Sequence, residues 1–180
     1  SGGNYSVNSG KDGSVNSGLR YSVNSGRDYS VNSGRDYSVN SGKDGSVNSG
    51  LGYSVNSGRD GSVNSGGNYS VNSGKDGSVN SGLGYSVIYL NGKSAIGVGY
   101  KGSIVQGVIG SAFTLPVVEG GEIIKMLSAV IDGERFKERT WYGVKDGRLA
   151  EVKPTEEQQK QIDKYEATRG LIDSLEDFYN

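Results

Sequence analysis

The sequence predicts a mainly β fold: a β-solenoid of two octapeptides (16 residues) per coil, followed by a small antiparallel β cap and a C-terminal helix. Three observations carry that prediction. Residues 1–88 are eleven tandem copies of Ser-Gly-x-x-(Tyr/Gly)-Ser-Val-Asn, ending where Asn gives way to Ile88. One Val every eight residues among so many Gly and Ser draws no 3.6-residue stripe, so a helix is excluded there. The copies also alternate. At the fifth position all six odd copies hold Tyr (Tyr5, Tyr21, Tyr37, Tyr53, Tyr69, Tyr85), whereas the even copies hold Gly13, Tyr29, Gly45, Gly61 and Gly77. Every even copy also reads basic-Asp at positions three and four, from Lys11-Asp12 to Lys75-Asp76. Two octads facing different surroundings make one coil, because a single octad encloses no core and two facing ones do.

The predicted domains are residues 1–109, the solenoid with degenerate last coils; 110–152, the β cap; and 153–180, an amphipathic helix. Within each octad Tyr/Gly-Ser-Val-Asn-Ser is the strand and Gly-x-x the turn. Alternation puts the fifth residue, Val and the next Ser on one face, with the other Ser and Asn on the opposite face. Val favours the interior, so the Tyr ladder is expected inside with it, Tyr facing Gly to conserve volume in a narrow core. Coil two would then hold both Tyr21 and Tyr29 and is expected to bulge. The alternative is an exposed, stacked Tyr ladder. On the inward-Tyr arrangement Asn8, Asn24, Asn40, Asn56 and Asn72 form an outward ladder on one strand row, and Asn16, Asn32, Asn48 and Asn64 on the other. Such ladders hydrogen-bond along the axis as in cross-β stacks. The basic-Asp turns form a charged edge that solubilises more than it binds.

After Tyr85 the octads degrade, and apolar residues from Ile96 to Leu115 thicken the core of the last coils. Residues 110–116 and 122–131 are expected strands. Asp132-Gly133 is read as a hairpin leading to Arg135-Phe136, and Asp146-Gly147 as another, so that 110–152 forms a meander with Phe136, Trp141 and Tyr142 as its aromatic residues. Thr155 with Gln158, and acids in the first turn, mark a helix start. Ile162, Tyr165, Leu171, Ile172, Leu175, Phe178 and Tyr179 make its stripe, with Gly170 weakening the middle. That stripe is expected to cap the rod or to mediate oligomerisation.

Composition narrows function. With no cysteine and no histidine, disulfides, thiol catalysis and imidazole acid–base chemistry are excluded, and most zinc sites with them. Only 33% of the residues are hydrophobic, too few for a broad core along the whole length. A net charge of −1 offers no field for nucleic acid. No apolar run approaches 18 residues and no charged-then-apolar signal opens the chain, so nothing in it marks membrane insertion or export. The chain starts inside its own repeat; a rod sealed only at its C-terminal end is expected to work as a multimer.

Octads ending in a Gly92-Lys-Ser94 copy, then Gly110-Ser-Ala-Phe113, Val130-Ile-Asp-Gly133 and Thr140-Trp-Tyr142, resemble a family of uncharacterised octapeptide-repeat proteins of phages, prophages and gut bacteria. The resemblance runs to about residue 152. It implies a β-solenoid with a C-terminal β cap and a viral origin, and it carries over no activity and no catalytic residues; the 154–180 helix lies outside it, and the expected location is a virion or a bacterial surface.

Other motifs are weaker than their plain explanations. Gly97-Val-Gly99 lacks the strand-to-helix context of a dinucleotide loop, and Gly92-Lys-Ser94 lacks the upstream glycine of a phosphate loop. The repeat Asp residues have basic neighbours, unlike calcium nonapeptides. The Asn4-Tyr-Ser6 and Asn68-Tyr-Ser70 sequons are by-products of the repeat. The sequence therefore points to a non-enzymatic structural or interaction module with no cofactor, a homo-oligomer or part of a larger assembly. One alternative is a binder of polysaccharide or ice through its Ser/Asn ladders; another is an intertwined trimeric spike, under which the Tyr/Gly alternation has no cause.

Overall fold

The structure, a computed structural model, describes the backbone of residues 1–178 and the side chains of residues 1–170. Eleven short strands each begin at the Val of an octad: β1 Val7–Ser9, β2 Val15–Ser17, β3 Val23–Gly26, β4 Val31–Ser33, β5 Val39–Gly42, β6 Val47–Ser49, β7 Val55–Gly58, β8 Val63–Gly66, β9 Val71–Gly74, β10 Val79–Gly82 and β11 Val87–Leu90. Two degenerate strands, β12 Ile96–Gly99 and β13 Ile104–Gly107, continue the winding. Then come β14 Ala112–Glu119, β15 Glu122–Val130, β16 Tyr142–Lys145, β17 Arg148–Glu151 and a single helix, α1 Glu156–Phe178.

The coil is 16 residues and closes within one chain. Val7 pairs with Val23 and Val15 with Val31, always in parallel. An odd sheet runs β1-β3-β5-β7-β9-β11-β13-β16-β17, and an even sheet faces it in the order β15-β14-β12-β10-β8-β6-β4-β2. One residue is added in the turn before β12: Val79 pairs with Ile96, and Val87 with Ile104, at a separation of 17.

The predicted alternation holds, but inside and outside are exchanged. Asn24, Asn32, Asn40, Asn48, Asn56, Asn64, Asn72 and Asn80 are fully buried, as are the sixth-position Ser30, Ser38, Ser46 and Ser54. The predicted outward ladder Asn8, Asn24, Asn40, Asn56, Asn72 is therefore the rod's interior. Each Asn Nδ2 donates to the Oδ1 of the Asn one coil on, at 2.8–2.9 Å from Asn8 to Asn72 and from Asn16 to Asn80. It also donates to the Ser Oγ two residues before it, at 3.0 Å in Asn40 and 3.1 Å in Asn56. Some cross the lumen too, as Asn48 does to the Ser57 carbonyl at 2.9 Å. Two facing strands of three or four residues leave a lumen too thin for Tyr and Val from both sides. It does accommodate amides that satisfy one another, and a fully satisfied chain of amide dipoles is self-reinforcing at low dielectric.

The second-position glycine shares that lumen. A Cβ on Gly42 would sit 2.6 Å from Ser46 Cβ and Oγ and 2.9 Å from Asn32 Nδ2. Gly42→Ala is accordingly expected to cost about 2 kcal/mol, the usual scale of overpacking. A denaturant midpoint unchanged from wild type would refute the crowded lumen.

The interior changes chemistry at Ile88, which pairs with Asn72. Ile88, Leu90, Ala95, Val105, Phe113, Leu115 and Ile131 form an apolar plug, closed by Phe136 and Tyr142. Phe136 and Tyr142 meet edge-on at 5.1 Å, and the Tyr142 hydroxyl accepts the Lys137 N–H at 2.7 Å. The cap is antiparallel but is not one meander. The hairpin β14–β15, turned by Gly120-Gly121, extends the even sheet, while β16–β17, turned by Asp146-Gly147, extends the odd sheet. Asp132-Gly133 makes no hairpin: the Asp132 carboxylate accepts the N–H of Glu134 and Phe136, each at 2.9 Å, and turns the chain across from one sheet to the other. Those bonds hold its pKa below the ordinary carboxylate value.

Helix α1 neither plugs the rod's end nor breaks at Gly170; it lies along the flank of the odd sheet. Ile162 and Tyr165 seal Val39, Val55, Val71 and Val87, with Tyr89 and Ile104 in the same cluster. The capping box forms as predicted: Thr155 N–H donates to Gln158 Oε1 and Gln158 N–H to Thr155 Oγ1. The side chains of Leu171, Ile172, Leu175, Phe178 and Tyr179 lie outside the described residues.

Candidate interaction surface

Two long surfaces carry regular side chains, the edge that holds the tyrosines and the outer face of the even sheet. The tyrosines are a correction to the expected core. Tyr5 is 75% and Tyr37 41% exposed, and the rings of Tyr5, Tyr21, Tyr37, Tyr53, Tyr69 and Tyr85 stack outside with centroids 5.0–5.3 Å apart and planes within 12°. Coil two does not bulge. Tyr21 joins this stack, while Tyr29 sits on the opposite edge against the Gly45 backbone. All seven have φ between 55° and 60°, the same left-handed turn in which Gly13, Gly45, Gly61 and Gly77 have φ of 64–67°. Tyr occupies a glycine position at a cost of about 1–2 kcal/mol, offset by about 0.5–1.5 kcal/mol from each ring pair.

Because each inner ring has both faces covered by its neighbours, the ladder presents ring edges and hydroxyls. It offers no open aromatic platform on which a sugar ring stacks. Lys164 crosses it, with Nζ 5.8 Å from the Tyr37 ring centre and donating to the Tyr53 carbonyl at 3.0 Å. Gln158 Nε2 donates to the carbonyls of Tyr85 and Gly102 at 3.2 and 2.9 Å. The ladder thus anchors the helix. Tyr53→Ala is expected to lose about 1–3 kcal/mol by removing two stacked neighbours. Tyr53→Gly, which also relieves the left-handed backbone, is expected to melt higher than Tyr53→Ala by the equivalent of about 1 kcal/mol. An alanine variant as stable as the glycine one would refute the strain.

The outer face of the even sheet is a different kind of surface. Its seventh-position residues align as Val15, Val31, Val47, Val63, Val79, Ile96, Ala112 and Val130, and beside them run Ser17, Ser33, Ser49, Ser65, Ser81, Val98, Thr114 and Ser128. Strand pairing spaces the residues of these rows at about 4.8 Å per step. No charged residue stands in either row. The odd sheet carries the same Val-x-Ser array, but there Val55, Val71 and Val87 are fully buried by α1; on the even sheet Val31, Val47 and Val63 are 40% exposed. Where the hairpin β14–β15 overhangs the face, a notch of about 400 Å³ is lined by Ser81, Val98, Pro116, Ile123 and Met126.

A third feature is a cleft of about 450 Å³ between α1, the cap and the basic-Asp edge, lined by Lys75, Tyr89, Gln106, Arg139, Glu166 and Arg169. Burial, and then the Glu166 charge, push the Tyr89 hydroxyl well above its ordinary pKa. In the cleft the Tyr89 hydroxyl hydrogen-bonds the Glu166 carboxylate. No three acidic side chains approach closely enough to hold a metal ion among the described residues, and no helix among them is long and apolar enough to cross a membrane.

The predicted site residues thus separate. The Asn ladder is interior, and the Tyr ladder is an outer edge that holds the helix. Phe136 and Tyr142 close the lumen, and Trp141, on the other side of β16, packs edge-on against Tyr89 at 5.0 Å. The even face was missed because Val was assigned inward; its signal was the unbroken Val-x-Ser of every even copy. Comparison of the chain with family models, with curated proteins and with solved structures found no match.

Proposed function

We propose that the chain is a non-catalytic interaction module: a rigid, polar-cored rod that docks through the outer face of its even sheet. One observation carries this. Two chemically equivalent Val-x-Ser faces exist, and the chain covers one from Val39 to Val87 with its own helix while the other stays bare over eight strands. An uncharged exposed surface of that extent, half of it an unbroken apolar row, marks an interaction site. The setting we propose is a viral particle, the origin that the family resemblance implies, or a bacterial surface appendage.

A second reading is a binder of an ordered lattice, polysaccharide or ice. The two in-register rows of methyl and hydroxyl groups favour it, in place of the Asn ladder first expected to serve. The intertwined trimer has no role for a coil that one chain closes by itself.

Light scattering of the chain in solution, together with retention on chitin, cellulose and ice, tests the docking face. Self-association or retention on one of these lattices is expected, and it is expected to vanish in Val47→Lys/Val63→Lys. Those side chains are 40% exposed, so the far-UV spectrum should not change. Association that survives both substitutions, or neither self-association nor retention in the wild type, would reject the face.

A further inference from the structure

We infer that the even face is closed by the even face of a second copy, with the two rods antiparallel. The inference rests on the docking face proposed above and names its occupant.

Area is the first argument. Eight strands at about 4.8 Å span roughly 38 Å, and four residues at about 3.3 Å give a strip roughly 13 Å wide. That is roughly 500 Å² per copy and 1,000 Å² for the pair, the lower bound of a specific interface. Exposed Ile123 and Met126 of the overhanging hairpin add to it.

Self-complementarity is the second. The rows hold Val, Ile, Ala, Ser and Thr without a charge, so two copies meet with no like-charge repulsion and no ion to desolvate. A closed pair of identical faces needs a two-fold axis in the plane between them. An axis along the rod leaves the rods parallel and swaps left for right, which sets Val rows over Ser rows. An axis across the rod makes them antiparallel and sets Val over Val and Ser over Ser. Only the antiparallel pair matches apolar with apolar and hydroxyl with hydroxyl.

Register follows from full overlap. The centre of the even sheet lies between β8 and β10, so Val63 of one copy stands opposite residue 79 of the other, while the two copies of residue 31 lie about five strand spacings, roughly 24 Å, apart.

Sedimentation at roughly 1 to 100 µM, the range in which so small an interface is read, tests the pairing. The wild type is expected to dimerise, Val47→Lys/Val63→Lys to be monomeric, and Leu51→Lys, at an exposed site on the Tyr edge, to dimerise as the wild type does. The chain has no cysteine of its own, so single substitutions report orientation: a bis-maleimide of roughly 10 Å reach should join the two copies of Val63→Cys, which stand one strand spacing apart across the interface, and should not join those of Val31→Cys. A dimer that survives the lysines, one lost in Leu51→Lys, or faster cross-linking at residue 31 would overturn the inference. So would a monomeric wild type. If that monomer is still held on chitin, cellulose or ice through its Val row, the docking face stands and only the second copy falls; if none holds it, both fall.

Discussion

Asn56→Asp is expected to destabilise the rod by about 4 kcal/mol at pH 7 and to recover much of the loss in acid. Asn56 is fully buried, accepts from Asn40 at 2.9 Å and donates to Asn72 Oδ1 at 2.9 Å and Ser54 Oγ at 3.1 Å. A carboxylate still accepts from Asn40, but it has no hydrogen for Asn72, so two acceptor oxygens face each other in a dry lumen that also holds an unpaired charge. The sign of the pH effect follows. Burial raises the pKa of the introduced carboxyl in the folded state above its unfolded value near 4. The penalty is therefore full above the raised folded-state pKa and fades as pH falls through it toward the unfolded value, where a protonated carboxyl donates as the amide did. Denaturant unfolding of variant and wild type between about pH 4 and pH 7 checks it. A penalty independent of pH would mean that the ladder is wetter than its burial indicates.

Much of the architecture was legible in the residues, because a repeat with two kinds of copy reports its own coil length. The 16-residue register, the capping box of Thr155 and Gln158 and the Asp146-Gly147 hairpin rest on local chemistry, and local chemistry is what a sequence displays. The in-versus-out decision was not legible from side-chain hydrophobicity. Burial free energy places Val inside, yet one strand row of Val is buried only because α1, far downstream in the chain, lies on it. Tyr alternating with Gly at one position reads as an exchange of volume. It is an exchange of residues at a left-handed backbone position, where glycine belongs and Tyr is kept by its stacked neighbours. The Asp132-Gly133 turn misled for a related reason: the dipeptide favours a turn, but which strands that turn joins is set by the sheets on either side.

Ile88 is where sequence and interior coincide most directly, and Ile88→Asn is expected to cost about 3 kcal/mol, the scale of emptying a buried aliphatic site. It is the first residue to break the octad, and it stands over Asn72 at the end of the odd amide ladder. Asparagine there continues the ladder by one step, accepting from the Asn72 amide, a gain of about 1 kcal/mol. One of its own two amide hydrogens reaches Ser86 Oγ, two residues before it as in the rungs below, but the other points toward Val105, which pairs with Ile88, and toward Leu90 and Phe113 of the plug, which offer no side-chain acceptor. Leaving that donor unsatisfied costs about 1–3 kcal/mol, and the lost aliphatic contacts add to it. Two terms against one decide the direction. The loss should appear in the cap as well as the rod, because the plug ties β11 and β13 to Phe136 and Tyr142, and amide exchange of β16 measures that directly. If β16 exchanges as slowly in Ile88→Asn as in the wild type, the apolar plug is not what couples the cap to the solenoid.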